Sequence, residues 1–381
     1  MTKPLAVGIL LLTWLMGTVP ATAQSGGCPQ AKSMVAEAQA MYEEGKPDHA
    51  VILSKMKTAT AICSGLGNAW KYAYCSAVAL KDKNAGFYRD MAALNGVKKL
   101  DCGPSGAPPE LAPLPSYVRE KYALVIGIGQ FQDPDIPTLQ FPAKDARDLA
   151  AVLKDPRYGR FNPANVVLLT DEKATRANIL SALSEIIDKA REDDLVFLYF
   201  SSHGSPHQDD AGMQGVGYIV TYDTSRKSLF IDALEYEDFS RKVALIKARR
   251  KVAFLDTCYS GQAKPGAKGL FIEDGRGIED KTARLFLSGE GTYVVTSSKS
   301  SERSFESESL HNGYFTYYLI EALKKGLEPP TVRQVFDVLS REVPAAVLKD
   351  KGALQHPQIL PDDSRADVRI GVAAVGSSKD P

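Results

Sequence analysis

The chain has 381 residues, 44% of them hydrophobic and 24% charged, an ordinary globular composition with room for two or three domains. Lysine plus arginine and aspartate plus glutamate both total 46. That balance suggests no nucleic-acid surface and no polybasic membrane patch, so any charge selectivity has to be local.

The N-terminus combines Lys3, a short apolar run from Leu5 to Met16, and small residues at Pro20-Ala-Thr-Ala23. This is the pattern of a secretory signal peptide, residues 1–23, cut after Ala23. The run is short for a bilayer span, with an uncleaved anchor as the alternative reading. Gln24-Ser-Gly-Gly lacks the apolar residue that precedes a lipidated cysteine, which argues against lipid attachment at Cys28. The expectation is an exported protein, periplasmic or secreted, with no stable membrane span once the signal is removed.

Residues 24–102 read as a helical-hairpin domain. Helical periodicity covers Ala31 to Tyr42 and His49 to Ala61, separated by Glu44-Gly-Lys-Pro-Asp48, then Ala69 to Leu80 and Ala85 to Val97 around Asp82-Lys-Asn. The Ala40 to Ala50 spacing loosely resembles a tetratricopeptide hairpin, and the domain is a possible protein-binding module. Four of the five cysteines lie here, and Cys258 stands apart. In an oxidising compartment this split predicts two disulfides and one thiol left over, reactive or simply buried. Antiparallel hairpins bring together the cysteines at their open ends, predicting Cys28–Cys63 and Cys75–Cys102.

Residues 103–118 form a proline-rich linker. From 119 to 372 strand and helix patterns alternate, predicting an α/β domain with a mostly parallel sheet flanked by helices. Strands are expected at Tyr122 to Ile128, Asn165 to Thr170, Leu195 to Phe200, Val252 to Cys258 and Thr292 to Thr296. Helices are expected at Lys144 to Leu153, Arg176 to Arg191 behind Thr175, Tyr236 to Ile246 and Tyr314 to Lys325. Gly217 to Tyr222 and Leu229 to Ile231 read as a small excursion, and Thr331-Val-Arg-Gln334 as a capping box opening a last helix. Ala263 to Gly289 reads as a long loop, and residues 373–381 as a disordered tail.

Two of these strands break into small and polar residues, at Ser201-Ser-His203-Gly-Ser-Pro and at Asp256-Thr-Cys258-Tyr-Ser-Gly261. Open parallel sheets carry their reactive groups at such carboxyl ends. A thiol is mostly protonated at neutral pH and needs a base, for which imidazole is the usual partner. His203 and Cys258 are therefore the candidate base and nucleophile, with the amides of Gly204 and Cys258 placed to hold an oxyanion. A metal pair at His203 and His207 is disfavoured by the intervening Gly-Ser-Pro, which cannot continue a helix. His311 reads as a loop residue, not as a third catalytic group.

A strand ending in Ser-x-His-Gly, about 55 residues, then a strand ending in Asp-x-Cys-x-Ser-Gly resembles the caspase-like superfamily, nearest to metacaspases and bacterial caspase homologues. Tyr122-Ala-Leu-Val-Ile-Gly-Ile128, Ala143-Lys-Asp145-Ala146 and Asn312-Gly-Tyr-Phe-Thr316 carry the same resemblance. It implies cysteine endopeptidase activity on protein or peptide substrates, with His203 and Cys258 as the dyad. It also implies an S1 pocket formed by Asp145, Ser201 and Asp256. Carboxylates there repel an acidic P1 residue and attract Arg or Lys. The usual glycine before the histidine is Ser202 here, and Pro265 stands where a calcium-binding aspartate is expected. Calcium activation is thus not supported, and no metal or other cofactor is expected. Lys264, Lys268, Arg276 and Lys281 lie in the loop after Cys258, as self-processing positions or as ordinary solvated residues. The competing reading is a catalytically silent scaffold whose helical domain binds a partner. A papain-like order of Cys before His, and a G-x-S-x-G elbow, are both absent.

Overall fold

In the computed structural model, the described residues are 29–45, 47–63, 66–82, 85–94, 97, 102, 117–206, 217–258, 292–299, 302–326, 328–360 and 368–372. The expected signal peptide, most of the linker, residues 259–291 and the tail lie outside them.

The described residues begin with four helices: α1 (Pro29–Glu43), α2 (His49–Ile62), α3 (Gly67–Ala79) and α4 (Ala85–Leu94). Asp48 caps α2 by accepting from the amides of Ala50 and Val51, the pairing that a helix start without intrahelical partners requires. Successive helices pack on one another around Ile52, Met56, Trp70, Tyr74, Tyr88 and Met91. Cys75 and Cys102 are disulfide-bonded, as expected. Cys63 is also disulfide-bonded, and Cys28, its expected partner, lies outside the described residues.

The second part begins with β1 (Lys121–Gly127), followed by α5 (Pro142–Lys154), β2 (Val166–Thr170), α6 (Arg176–Lys189) and β3 (Leu195–Pro206). An excursion follows: β4 (Gly217–Ile219), the one-turn α7 (Leu229–Asp232) and β5 (Leu234–Glu235). Then come α8 (Tyr236–Val243), β6 (Arg250–Cys258), β7 (Thr292–Thr296), β8 (Glu306–Ser307), β9 (Asn312–Gly313), α9 (Tyr314–Lys324), α10 (Val332–Lys351) and β10 (Gln358–Leu360). Thr331 and Gln334 form the expected capping box of α10. The helices end one to three residues from their expected limits, where side-chain periodicity carries little information.

The main sheet runs β10-β7-β6-β3-β1-β2, parallel except for β10, with β4 and β5 paired off the end of β3. Both faces are covered, so the central strands are apolar on both sides. One face carries Ala123, Val125, Phe197, Tyr199, Val252 and Phe254 beneath residues of α5, α9 and α10. The other carries Leu124, Ile126, Leu198, Phe200, Ala253 and Leu255 beneath α6 and α8. Phe197 and Phe254 stack 5.2 Å apart across β3 and β6, just below the polar strand ends.

β1 leads to β2 on one side and to β3 on the other. Chain direction across the sheet therefore reverses beside the carboxyl ends of β1 and β3, where open α/β sheets form their ligand crevice.

Candidate active site

His203 and Cys258 are register partners across the parallel pair of β3 and β6, as are Ser201 and Asp256 one step earlier. Gly127 of β1 is the register partner of Ser201 on its other side. Because side chains alternate along a strand, positions 199, 201 and 203 and positions 254, 256 and 258 share one face. That is the face covered by α5. For Cys258 the described position is that of its backbone.

His203 is almost fully buried, with 1% of its surface exposed. Its Nε2 lies 2.7 Å from the carbonyl oxygen of Pro137, and its ring stacks on Phe131 with centroids 5.3 Å apart. A carbonyl only accepts, so Nε2 is the donor in this contact, and in the neutral form of the ring the lone pair lies on Nδ1. Pro137 and Phe131 both belong to the connection between β1 and α5. Neither is marked in the sequence, because a carbonyl partner leaves no residue-type signal.

Ser202, the departure before the histidine, lies on the opposite face by alternation. Its hydroxyl donates to the carbonyl of Val220 at 2.7 Å. The amide of Val220 in turn donates to the carbonyl of His203 at 3.0 Å. Ser202 thus ties β3 to the excursion and is turned away from the row that holds His203.

Asp145, Ser201 and Asp256 are all fully buried. Asp145 stands in the first turn of α5, where the helix dipole favours a carboxylate. It accepts from Asn312 Nδ2 at 2.7 Å and from the amide of Gly313 at 3.1 and 3.2 Å. Asp256 accepts from the hydroxyl of Ser304 at 2.6 Å. Gln355 Nε2 donates to that hydroxyl oxygen at 3.0 Å and to the carbonyl of Ser297 at 3.1 Å. Burial raises the Tyr199 phenol well above its ordinary value, and the charges of Asp145 and Asp256 push it the same way. Both carboxylates therefore act on one buried region beside Tyr199 and Ser201. Asn312 belonged to a recognisable sequence segment, but without a role; Ser304 and Gln355 carried no sequence signal.

Gly204, the second expected oxyanion donor, is buried and pairs in register with Ile219 of β4. His311 is exposed in a turn at φ 53°, its ring edge-on to Phe141 at 6.4 Å. Among the described residues no group of three or more His, Cys, Asp or Glu side chains is arranged to hold a metal ion. Pro265, His207, Gly261 and the four basic residues of the following loop lie outside the described residues.

The caspase-domain family matches residues 120–368, well over half of the chain. The chain belongs to the caspase-domain family.

Within that family the chain is similar to metacaspases. It is 30% identical to metacaspase-1B of Aspergillus fumigatus over 166 residues, 39% of this chain and 39% of that protein. It is 31% identical to metacaspase-1 of Saccharomyces cerevisiae over 150 residues, 36% of this chain and 33% of that protein. The chain thus matches these relatives over about two-fifths of their length or less. A crystal structure of a Geobacter sulfurreducens protein shares the fold, with a TM-score of 0.50, 18% identity, and coverage of 67% of this chain and 99% of that one. Among the described residues no helix is long and apolar enough to cross a membrane.

Proposed function

We propose that this caspase domain is a cysteine endopeptidase in which His203 is the base and Cys258 the nucleophile, acting outside the cytosol after signal removal. The observation that carries the reading is the register pairing of His203 with Cys258, joined to the Nε2 contact with Pro137. That contact leaves Nδ1 to take the thiol proton. The thiolate attacks the peptide carbonyl, and the amides of Gly204 and Cys258 receive the developing oxyanion. The imidazolium returns its proton to the leaving amine, and a thioester remains on Cys258. His203 then activates water to release the acid product and restore the thiol.

Asp145, Ser201 and Asp256 form the S1 floor in this reading, and the P1 residue is Arg or Lys. Two buried carboxylates beside one another attract a cation more strongly than surface acids do, because the surrounding dielectric is low. The helical domain serves as a contact surface for a protein partner or substrate.

The test is turnover of peptides with Arg, Lys, Asp or Ala at P1 by the mature protein, beside Cys258→Ala. The expected result is cleavage after Arg and Lys and none by the variant. No turnover, together with a Cys258 that resists alkylation, favours the scaffold reading instead. Preference for Asp at P1 overturns the pocket and leaves the dyad.

A further inference from the structure

We infer that Glu306 and Asp171 are positioning residues for His203, acting through the connection between β1 and α5. The inference rests on the peptidase reading and adds to it two side chains that never touch the substrate.

The connection runs from Ile128 to Phe141 and contains no regular helix or strand. It nevertheless supplies two contacts that orient the histidine ring, the carbonyl of Pro137 and the face of Phe131. A segment without internal secondary structure needs outside partners for its amides. Two carboxylates supply them, one at each end. Asp171 Oδ1 accepts from the amides of Gly129 at 2.9 Å and Gln130 at 3.1 Å. Glu306 Oε1 accepts from Phe141 at 2.8 Å and Oε2 from Gln140 at 3.1 Å.

Both anchors come from elsewhere in the chain. Asp171 follows β2 and sits at φ 45°, a left-handed conformation that aspartate and asparagine tolerate better than most side chains. Glu306 lies on β8 and is 3% exposed. Between the anchors, the amide of Leu139 donates to the carbonyl of Gly129 at 2.9 Å and closes the base of the loop. The amide of Gln132 donates to the carbonyl of Tyr222 at 2.9 Å. Asp133 accepts from the amide of Arg226 at 2.8 Å, and Ile136 packs on Val220. The middle of the loop is thus held to the excursion, and its two ends are held by charge-assisted bonds.

Phe141 is the residue before α5, and its own side chain makes no capping bond. Glu306 fills that role from another element, and so fixes the chain three residues after Pro137. A hydrogen bond at 2.7 Å is lost with a displacement of about 1 Å. Once it is lost, the bond that favours the proton on Nε2 is gone, and the tautomer with its proton on Nδ1 becomes accessible. That tautomer cannot take the thiol proton.

The experiment uses the mature full chain and four variants: Glu306→Ala, Asp171→Ala, Asp171→Asn and, as a control, the exposed Glu308→Gln. Three readouts are taken: kcat and KM on an Arg-P1 peptide across pH, the rate of Cys258 alkylation by iodoacetamide, and nitrogen NMR of the labelled imidazole. Both alanine variants are expected to lose kcat by about 10- to 100-fold with little change in KM. Alkylation slows with them, the imidazole signals show a mixture of tautomers, and the pH profile changes shape. Asp171→Asn keeps its single acceptor oxygen and tolerates the left-handed backbone, so it retains wild-type behaviour. Glu308→Gln also stays wild-type.

A folded Glu306→Ala and a folded Asp171→Ala with unchanged tautomer signals, kcat and pH profile overturn the inference. If an alanine variant does not fold, Glu306→Gln, which keeps one acceptor oxygen and turns an amide toward the second backbone donor, is read by the same signals. No turnover by the wild type and no alkylation of Cys258 removes the peptidase reading, and this inference with it. That failure is seen without any loop variant, so the two outcomes are distinct.

Discussion

The hydroxyl of Ser304 lies 2.6 Å from Oδ1 of Asp256, and both residues are fully buried. Ser304 is itself held by Gln355, another fully buried side chain, whose Oε1 accepts from the amide of Phe305 at 2.9 Å. The carboxylate on which P1 selectivity depends in the proposed pocket is therefore fixed by a relay from two segments late in the chain. A buried polar network of this kind costs little when complete and a great deal when one member is removed.

For specificity the relay has a graded consequence. Asp256→Asn should lower kcat/KM for Arg-P1 peptides by roughly 30-fold or more, the loss of about 2 kcal/mol expected when one partner of a buried charge pair is neutralised. Ser304→Ala keeps the charge but removes one donor, and should cost about 10-fold, mostly in KM. Peptides with a neutral P1 residue should be affected less by both. Equal losses on neutral and basic peptides would mean that Asp256 supports the fold and does not select the substrate.

At Gly127 the sheet and α5 meet too closely for any side chain. A Cβ there would fall 2.0 Å from the carbonyl oxygen of Pro142 and 2.7 Å from Cβ of Ala146. Gly127→Ala must push away the helix turn that carries Asp145. Destabilisation of about 1–3 kcal/mol is expected, measured by denaturant unfolding of the whole chain. Selectivity for basic P1 should weaken in the folded fraction. Wild-type stability would show that α5 shifts without cost.

Lys121 makes the stability of the domain depend on pH. It opens β1 at the edge of the sheet opposite the site and is 1% exposed. Its ammonium donates to the carbonyls of Gly159 at 2.7 Å and Val372 at 2.5 Å, over the ring of Phe161. Burial pushes its pKa down to about 7; the charge of Arg160 acts in the same direction, and Glu120 opposes it. Between that value and the ordinary lysine value near 10.5, the unfolded chain holds a proton that the native chain has released. Stability from this group therefore rises with pH across the window and is lowest below it. Comparing melting temperatures of the wild type and Lys121→Met from about pH 6 to about pH 10 isolates the contribution. The wild type should gain on the variant as pH rises, and parallel curves would rule the effect out.

Much of the architecture was legible from side-chain pattern. The apolar run Leu195 to Phe200 and the run ending at Leu255 read as buried strands, and both pair in the centre of the sheet. Thr331 and Gln334 announced the start of α10 through a reciprocal bond that needs only local sequence. The short strands β8, β9 and β10 were not legible, because two or three residues hold no period and their pairing is decided by distant partners. Leu229 to Ile231 read only as part of a small excursion, within which Leu229–Asp232 closes a single helical turn.

The sequence by itself determined the candidate site residues and the strands that carry them: His203, Cys258, Ser201 and Asp256. Strand period and breaker residues are local properties, and parallel strands of similar length bring their ends to one edge. Only the tertiary structure decided which atoms face those residues. The carbonyl of Pro137 faces His203 and the hydroxyl of Ser304, held by Gln355, faces Asp256, and each comes from a segment far along the chain from its partner. The tertiary structure also turned Ser202 away from the site, because one step along a strand reverses the face. Hydrogen-bond partners are set by chain crossings in space, and those crossings leave no mark on the residues they join.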